Sequence, residues 1–364
     1  MAKRVGVDKW MYGTVTVLVL LGLVMVFSSS AVVANARFHS ASTFVVKQAF
    51  WAVLGLAAMT ILMRIDYRVF NRANVVFTAL GVTLLLLLAV FAMHDSHATH
   101  RWIRFGPFFS LQPSEIAKPV VVLFLAWFLQ GRIHMMDDWR RAVLPAVLPV
   151  LVLVALILKE PDLGTALVCV AVAAILLYLA RLPLRYYAMG ALLGTPVLYY
   201  MLFHVAWRAR RMVAFLHPDQ DPRGAGFHVM QSLIAVGTGG LTGVGLMEGK
   251  QKLFYLPESH TDFIFANIAE ELGLLGTLCV VGLFAFLGYR GLRAAMLARD
   301  PFAQLLAVGI TSTILVQACF NMSVVLSLLP TKGIPLPFIS SGGTSLFITL
   351  ASMGVLLNIT REIE

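Results

Sequence analysis

The sequence has 364 residues, of which 59% are hydrophobic and 13% are charged, and its formal net charge is +10. Soluble domains are about 45–50% apolar and about 25% charged, so the composition excludes an ordinary soluble protein. The positive charge does not indicate nucleic acid as a partner, because Lys and Arg are scattered through short connections. The three cysteines lie in apolar runs without a CxxC motif, which indicates neither a disulfide framework nor a zinc site.

A membrane-spanning helix needs roughly 20 mainly apolar residues. Ten runs are predicted to be such helices: residues 11–34, 46–63, 74–93, 115–131, 142–158, 163–180, 186–206, 262–289, 304–327 and 338–359. The first run ends in Ala34-Asn-Ala36, which resembles a signal-peptidase site, but its length and the further runs predict a retained helix. The predicted fold class is therefore all-α, a polytopic membrane protein forming one domain over residues 1–364.

An even number of spans places both termini on one side of the membrane. The connections on that side hold most of the Lys and Arg of the short loops, which predicts cytoplasmic termini. The outer loop 207–261 breaks this trend, since it contains Arg208, Arg210, Arg211, Arg223, Lys250 and Lys252. Cations there work against the topology and predict a functional loop.

The end of that loop carries ionisable residues directly before a predicted span. Glu258, His260 and Asp262 precede the apolar run, and Glu270 and Glu271 lie within it. Charge at such depth is costly and usually marks a functional site. One alternative for Asp262 is a capping box, in which Ser259 caps the helix and Asp262 binds back to its amide. For Glu270 and Glu271 a structural role is favoured.

A second outer segment runs from Arg101-Trp to the start of the fourth span. Gly106-Pro107 is flanked by aromatic residues, which is typical of a segment at the membrane interface. Glu115 and Lys118 are three apart and share a helix face. They form either an internal ion pair or a site at which Lys118 contacts an anion. Ser114 is predicted to cap the fourth span.

Two further outer segments add polar groups. Asp162 follows Pro161 at the start of the sixth span, so capping is the favoured interpretation. Arg208 and Arg211 are three apart at the predicted end of the seventh span. This pair either extends towards lipid headgroups or binds a pyrophosphate in a bidentate manner.

The segment before the last span is rich in Pro and Gly, from Pro330-Thr-Lys332 to Ser340-Ser-Gly-Gly343. Such irregular backbone at membrane depth must be buried in protein or line a wet cavity. Lys332 and free amides at Ser340–Gly343 are suited to a phosphate, while the alternative is a helix break required for packing. The sequence contains no Walker lysine motif, GxSxG, HExxH or Ser-x-x-Lys, so no covalent acyl intermediate is expected.

At these residues the chain resembles the SEDS family (shape, elongation, division and sporulation), and the FtsW branch more than the RodA branch. The resemblance covers almost the whole chain. Its motifs are Arg101-Trp-Ile, Gln112-Pro-Ser-Glu115-x-x-Lys118, Glu160-Pro-Asp-Leu-Gly-Thr165, Gln231-Ser-Leu-Ile, Phe254-Tyr-Leu-Pro-Glu-x-His-Thr-Asp-Phe-Ile-Phe265, Glu270-Glu-Leu-Gly273 and Leu329-Pro-Thr-Lys-Gly-Ile-Pro-Leu-Pro-Phe-Ile-Ser-x-Gly-Gly343. Departures are Met247, where the family usually has Gly, Ser259, where Ala is common, and Ser341, where Tyr is common. Met247 puts a tight turn at that position in question.

The resemblance implies a peptidoglycan glycosyltransferase that polymerises lipid II on the outer face of the cytoplasmic (inner) membrane during cell division or cell-wall growth. It implies a class B penicillin-binding protein as transpeptidase partner, and further divisome or elongasome membrane proteins. Asp262 becomes the expected catalytic base, with Glu115 and Lys118 lining the same cavity. Expected substrate-binding residues are Arg101, Arg208, Arg211, Glu258, His260, Thr261, Lys332, Ser340, Gly342 and Gly343.

One base without a nucleophile predicts a single displacement with inversion at the anomeric carbon. A divalent cation, Mg²⁺ or Mn²⁺, would assist such a reaction, but the sequence shows no defined metal cage. The alternative function is a flippase or transporter of the same lipid, because broken helices and acids within spans are also typical of transporters. Against it, the sequence shows no internal repeat, and its charges lie mainly towards one face.

Overall fold

The computed structural model describes residues 6–92, 101–105, 109–218, 224, 226–253 and 255–361. Gly106-Pro107, Arg223 and Phe254, which the sequence analysis singled out, lie outside the described residues. The elements in chain order are α1 (Lys9–Phe38), α2 (Thr43–Leu62), α3 (Ala73–Ala92), β1 (Ile103–Phe105), β2 (Phe109–Leu111), α4 (Pro113–Gln130), α5 (Leu144–Lys159), α6 (Leu163–Leu179), α7 (Leu184–Phe203), α8 (Ala206–Leu216), α9 (Phe227–Gly239), α10 (Ile264–Leu297), α11 (Pro301–Val325) and α12 (Gly343–Thr360).

The fold is the predicted all-α membrane protein. Among the described residues, eight helical segments are long and apolar enough to cross a membrane. The 17-residue α6 is a shorter apolar helix, and α7 forms with α8 a pair bent by 91°. Each of the ten predicted spans thus corresponds to a helix, α1 to α7 and α10 to α12. The antiparallel pair β1–β2 lies between α3 and α4.

Aspartate side chains fix where several helices begin. Asp8 accepts hydrogen bonds from the amides of Trp10 and Met11 at 3.1 and 3.0 Å at the start of α1. Asp162 caps α6, as predicted, by accepting from the Thr165 amide at 3.2 Å. Asp8 also pairs with Arg290 of α10 at 2.6 Å, which ties the start of α1 to α10.

Two predicted caps are wrong. Helix α10 begins at Ile264, its N-cap is Phe263, and no described side chain caps it. The Ser259 hydroxyl instead lies 3.4 Å from the carbonyl of Ser29. Helix α4 begins at Pro113, so Ser114 lies inside it and donates to Asp162 Oδ2 at 3.1 Å. In both cases the serine hydroxyl donates to a residue distant in the sequence, and not to the end of the helix that the local pattern predicted it to cap.

Helices α4, α6, α11 and α12 form the centre of the bundle, and α4 packs against α3, α6 and α11. Helix α12 packs mainly against α2, and α10 packs against α11, α9 and α1. Helix α7 differs from these. All of its residues are described, none is buried, and its principal packing partner is α8.

Helix α10 is broken at Gly273, whose φ of 66° lies in the left-handed region. The segment after α9 lies against the break. The amides of Val244 and Gly245 donate to the carbonyls of Glu270 and Glu271 at 3.0 and 3.1 Å. The Leu274 amide donates to Gly240 at 2.9 Å. The backbone groups released by the break are therefore satisfied within the protein, as a membrane interior requires.

Glu270 and Glu271 hold the same loop through their side chains. Glu270 Oε1 accepts from the Lys250 amide at 2.7 Å. Glu271 pairs with Lys252 at 2.7 Å and accepts from the Ser28 hydroxyl and the Met247 amide. This arrangement agrees with the structural role favoured for both acids. Met247 adopts a φ of 68°, so the turn forms without glycine, at a cost of roughly 1–2 kcal/mol for an L-residue.

Candidate functional site

A cavity of about 770 Å³ lies where the long loop, the start of α6, helix α8 and the 330–333 segment meet. Five cations and three carboxylates are among its described lining residues, which gives it an excess of positive charge. They are Arg101, Arg208, Arg210, Arg211 and Lys332 with Asp162, Glu258 and Asp262. Such a cavity is suited to an anionic ligand that also needs a base.

Asp262 occupies the turn directly before α10. Its backbone carbonyl accepts from Asn321 Nδ2 at 2.8 Å, while its carboxylate has no hydrogen-bond partner among the described residues. Burial raises the pKa of Asp262 to about 7, the nearby Glu258 carboxylate raises it further, and Arg211 opposes the shift. A carboxylate with a pKa near neutrality that lines a cavity fits the requirement for a general base.

The cations of the cavity come from separate elements. Arg208 and Arg211 lie on α8, after the 91° bend, and not at the end of the seventh span as predicted. Their guanidinium groups lie 4.9 and 5.2 Å from the centre of the Trp207 ring. Arg208 is buried, its Nε has no hydrogen-bond partner among the described residues, and none of their carboxylates forms an ion pair with it. A buried guanidinium without a counter-charge favours a bound anion.

Arg101 and Lys332 complete the positive wall. Arg101 donates to the backbone carbonyls of Glu160 and Pro161, which fixes its side chain beside the start of α6. Burial lowers the pKa of Lys332 to about 8, and the charge of Arg208 lowers it further. Both effects favour a ligand with negative charge beside Lys332, because an anion would restore the stability of its charged form.

Two acids at the start of α6 have different surroundings. Asp162 Oδ2 accepts from Gln112, Ser114 and the Thr165 hydroxyl at 2.9–3.1 Å, so this carboxylate joins α4 to α6. Glu160 is fully buried, and neither of its carboxyl oxygens has a hydrogen-bond partner among the described residues. Burial and the charge of Asp162 raise the pKa of Glu160 to about 8, although Arg101 opposes the shift.

Glu115 and Lys118 are not among the residues that line this cavity. They form an ion pair of 2.8 Å, and both side chains are at least nine-tenths buried. Lys118 Nζ also donates to Gln317 Oε1 at 2.5 Å. The prediction that both residues share a cavity with Asp262 is therefore wrong in geometry. Of the two interpretations of Glu115 and Lys118, the structure agrees with the internal ion pair. The face of α4 that carries both residues packs towards α11.

The family model for FtsW, RodA and SpoVE, described as a cell cycle protein, matches residues 9–364 of this chain. The chain belongs to this family. It is 44% identical over 349 residues to a probable peptidoglycan glycosyltransferase FtsW of Geobacter metallireducens, with 95% of this chain and 92% of that relative covered. It is 38% identical to stage V sporulation protein E of Bacillus subtilis, with 95% of each covered.

Solved structures agree with the family assignment. The chain is similar to one chain of a peptidoglycan synthase complex that coordinates polymerization and crosslinking, with a TM-score of 0.77 and 27% identity over 98% of both chains. It is also similar to the rod shape determining protein RodA of Thermus thermophilus, with a TM-score of 0.71 and 26% identity over 98% of both. These matches confirm the predicted multi-pass membrane fold.

In this FtsW/RodA/SpoVE member the Ser340–Gly343 turn is not among the residues that line the cavity, and the protein itself binds two of its amides. The Ser341 amide donates to the His260 carbonyl at 3.0 Å, and the Gly342 amide donates to Gln48 at 3.3 Å. Ser340 Oγ donates to the Thr261 carbonyl at 2.6 Å. Gly343 begins α12 against the Trp51 ring. The turn therefore fastens the loop before Asp262 instead of lining the cavity, which corrects the prediction for Ser340, Gly342 and Gly343.

Glu258, Thr261 and His260 also differ in their positions. Glu258 lines the cavity, and the Thr261 hydroxyl donates to its carboxylate at 3.0 Å. His260 is not among the lining residues, and its ring packs 4.7 Å from that of Phe44. Burial lowers the pKa of His260, which keeps the imidazole neutral in this apolar contact. Thr261 therefore holds Glu258, and His260 anchors the loop.

Several residues of the site were missed from the sequence. Trp207 and His228 line the cavity, as does Arg210, which was predicted only as part of the functional loop. Gln317 and Asn321 contact the supporting loops of the cavity. The signal for the last two was present, since polar residues four apart in an apolar run lie on one helix face. Among the described residues, no group of three or more His, Cys, Asp or Glu side chains is arranged to hold a metal ion.

Proposed function

We propose that this chain is a peptidoglycan glycosyltransferase that polymerises lipid II with Asp262 as the general base. The observation that carries this proposal is the unpaired carboxylate of Asp262, with a pKa of about 7, in a cavity with an excess of cations. Lipid II presents a sugar hydroxyl that needs a base and a pyrophosphate that needs positive charge. Asp262 and the cations line one cavity, which supports this proposal.

The reaction is a single displacement at the anomeric carbon of a lipid-linked sugar. Asp262 accepts the proton of the attacking sugar hydroxyl as the oxygen forms its bond to that carbon. The bond from the carbon to the lipid pyrophosphate breaks on the opposite side, so the configuration inverts. Arg208, Arg211 and Lys332 stabilise the charge on the departing pyrophosphate.

The cation set fits this leaving group in form as well as in charge. Two arginines on one turn of α8 present planar guanidinium groups, which bind phosphate oxygens in pairs. Trp207 lies beside both guanidinium groups and supports them through cation–π contacts. Helix α8 follows the sharp bend after α7, so these arginines are held by a separate short helix.

The resemblance to the FtsW branch supports a role in cell division, with RodA-type elongation as the alternative within the family. A class B penicillin-binding protein is the proposed transpeptidase partner, and one similar solved chain comes from a complex that joins polymerization with crosslinking. Other divisome or elongasome membrane proteins are further proposed partners. The distribution of Lys and Arg supports insertion in the inner membrane with cytoplasmic termini and an extracytoplasmic cavity.

A lipid flippase is not favoured. Two relatives at 44% and 42% identity are named probable peptidoglycan glycosyltransferases, and the acids within α10 bind a loop of this chain. A transporter would need its ionisable groups near the midplane to be available to substrate. Glu271 is instead paired with Lys252 and Ser28.

The test measures polymerisation of lipid II by the purified full chain with a class B penicillin-binding protein present. Asp262→Asn keeps the side-chain volume but removes the base, so we expect folded protein with glycan synthesis reduced by about 100-fold or more. Lipid II flipping in liposomes is measured in parallel. Near wild-type polymerisation by Asp262→Asn would overturn the assignment of Asp262 as base. If the wild-type protein flips lipid II but does not polymerise it, the proposed glycosyltransferase activity is overturned.

A further inference from the structure

Two amide side chains on α11 connect the helix to the segments on either side of Asp262. Gln317 and Asn321 are four residues apart, so they lie on one face of the helix, and both are buried. Asn321 Nδ2 donates to the Asp262 carbonyl at 2.8 Å and to the Ile334 carbonyl at 2.7 Å. Gln317 Nε2 donates to the Pro335 carbonyl at 2.8 Å. We call Gln317 and Asn321 the amide bracket.

The buried ion pair lies directly behind this bracket. Lys118 Nζ donates to Gln317 Oε1 at 2.5 Å while it pairs with Glu115 at 2.8 Å. The Gln317 side chain is thereby held at both ends, by Lys118 from α4 and by the Pro335 carbonyl. This gives Glu115 and Lys118 a link to the site even though neither lines the cavity.

The segment that the bracket holds lies against the proposed base. A Cβ atom added at Gly333 would lie 2.7 Å from Asp262 Oδ2, so the backbone at Gly333 forms one wall beside the carboxylate. Ile334 and Pro335, the next two residues, are those that the bracket binds. Asn321 contacts both the residue that carries the carboxylate and the wall beside it. One side chain therefore sets the separation between the two.

We propose that Gln317 and Asn321 are positioning residues that hold the Asp262 carboxylate and the Gly333 wall in register. The Lys118–Glu115 pair fixes Gln317 in turn. The inference rests on the proposed role of Asp262 as base. A displacement of about 1 Å at a reacting group can reduce a rate by 100-fold without altering how tightly the substrate binds. The bracket thus acts on turnover, and the cations of α8 act on binding.

The experiment compares Gln317→Met and Asn321→Leu with Thr313→Val. Thr313 precedes Gln317 by one turn on the same face, and its hydroxyl donates only to Gly309 within the helix. With the full chain and its penicillin-binding protein, we expect both bracket variants to lower kcat by about 10- to 100-fold. KM for lipid II should remain within about twofold, and Thr313→Val should match the wild type. Melting temperature is measured for each.

Arg211→Ala provides the opposite signature, because Arg211 lines the cavity and takes no part in the hydrogen bonds of the bracket. It should raise KM for lipid II and weaken inhibition by added inorganic pyrophosphate, which the bracket variants should leave unchanged. If a bracket variant raises KM with kcat unchanged, or retains full activity, the positioning role is overturned.

Gly333→Ala keeps the proposal testable if a bracket variant does not fold. Gly333 is exposed, and its new methyl group displaces the Asp262 carboxylate directly, so a fall in kcat alone is expected. Unchanged kcat in Gly333→Ala would contradict the proposal. Asp262→Asn is assayed beside these variants. If Asp262→Asn is active, Asp262 is not the base and both proposals fail. If Asp262→Asn is inactive and the bracket variants are fully active, only the positioning role is rejected.

Discussion

At the scale of single residues, the carboxyl groups of the site differ in their hydrogen bonds and in their pKa values because their surroundings differ. Asp162 is fixed by several hydrogen bonds, whereas burial raises the pKa of Asp262 to about 7 and that of Glu160 to about 8. Asp262 is therefore available as a base near neutral pH. Burial favours the protonated form of Glu160 at neutral pH, which reduces the negative charge beside Arg101.

The pH dependence of polymerisation follows from Asp262 and Lys332. Asp262 acts as a carboxylate, so we expect the rate to fall as pH drops below about 7. Lys332 acts as a cation with a pKa of about 8, so the rate should also fall as pH rises above that value. In Lys332→Arg the alkaline fall should disappear, because arginine stays protonated. Profiles of kcat/KM measure both limbs, and an acidic limb near pH 4 would contradict the shift at Asp262.

At the scale of elements, α10 and the loop before it form one hydrogen-bonded unit. The break at Gly273 releases backbone groups that the 240–245 segment satisfies, and Glu270 and Glu271 bind the 247–252 segment from the same helix. The loop that ends at Asp262 is thus anchored twice to the helix that Asp262 precedes. This anchoring limits how far the base can move without opening α10.

Breaking the buried pair of this unit should cost far more than breaking a surface pair. Lys252→Met leaves Glu271 buried without its counter-charge, and we expect a loss of about 3–5 kcal/mol in unfolding free energy. The double variant Lys252→Met/Glu271→Gln should recover most of it. Arg185→Met, which breaks an exposed pair with Asp137, should cost about 0–1 kcal/mol. Thermal melting of the purified protein measures the ranking, and equal losses at both pairs would contradict it.

At the scale of the whole molecule, the cavity and the cation-rich α8 lie towards one end of the bundle. The short turn between α1 and α2 belongs to that end by the order of the helices, and the connection between α4 and α5 belongs to the other. The proposed orientation makes the first end extracytoplasmic. Substrate and cross-linking partner would then meet the chain outside the membrane.

Cysteine labelling tests this orientation in cells. Ser40 and Met135 are exposed in those two connections, and each is changed to Cys in a chain whose native cysteines are replaced. A membrane-impermeant maleimide should label Ser40→Cys in intact cells. It should label Met135→Cys only after permeabilisation. The reverse pattern would invert the topology and place the cavity in the cytoplasm.

The sequence predicted the spans well and their contacts less well. Bilayer thickness imposes helix length, so the apolar runs gave boundaries within a few residues at most span ends. The separate α8 was missed because the bend after α7 leaves no Pro or Gly signal at the junction. The resemblance implied that Lys118 lines the cavity, whereas its spacing from Glu115 predicts only a shared helix face and not what that face contacts. Ser114 and Ser259 match capping patterns, yet their partners are distant in the sequence.

The lack of buried residues in α7 has a consequence for how its sequence changes over time. A side chain in a packed core must match the shapes around it, so few replacements are tolerated there. A side chain that meets acyl chains has only to stay apolar and preserve the length of the helix. We therefore expect α7 to diverge quickly between related chains, exchanging one apolar residue for another, while the buried α4 changes slowly. For α7, selection would then preserve the apolar composition and the length of the helix, and not the identity of individual residues.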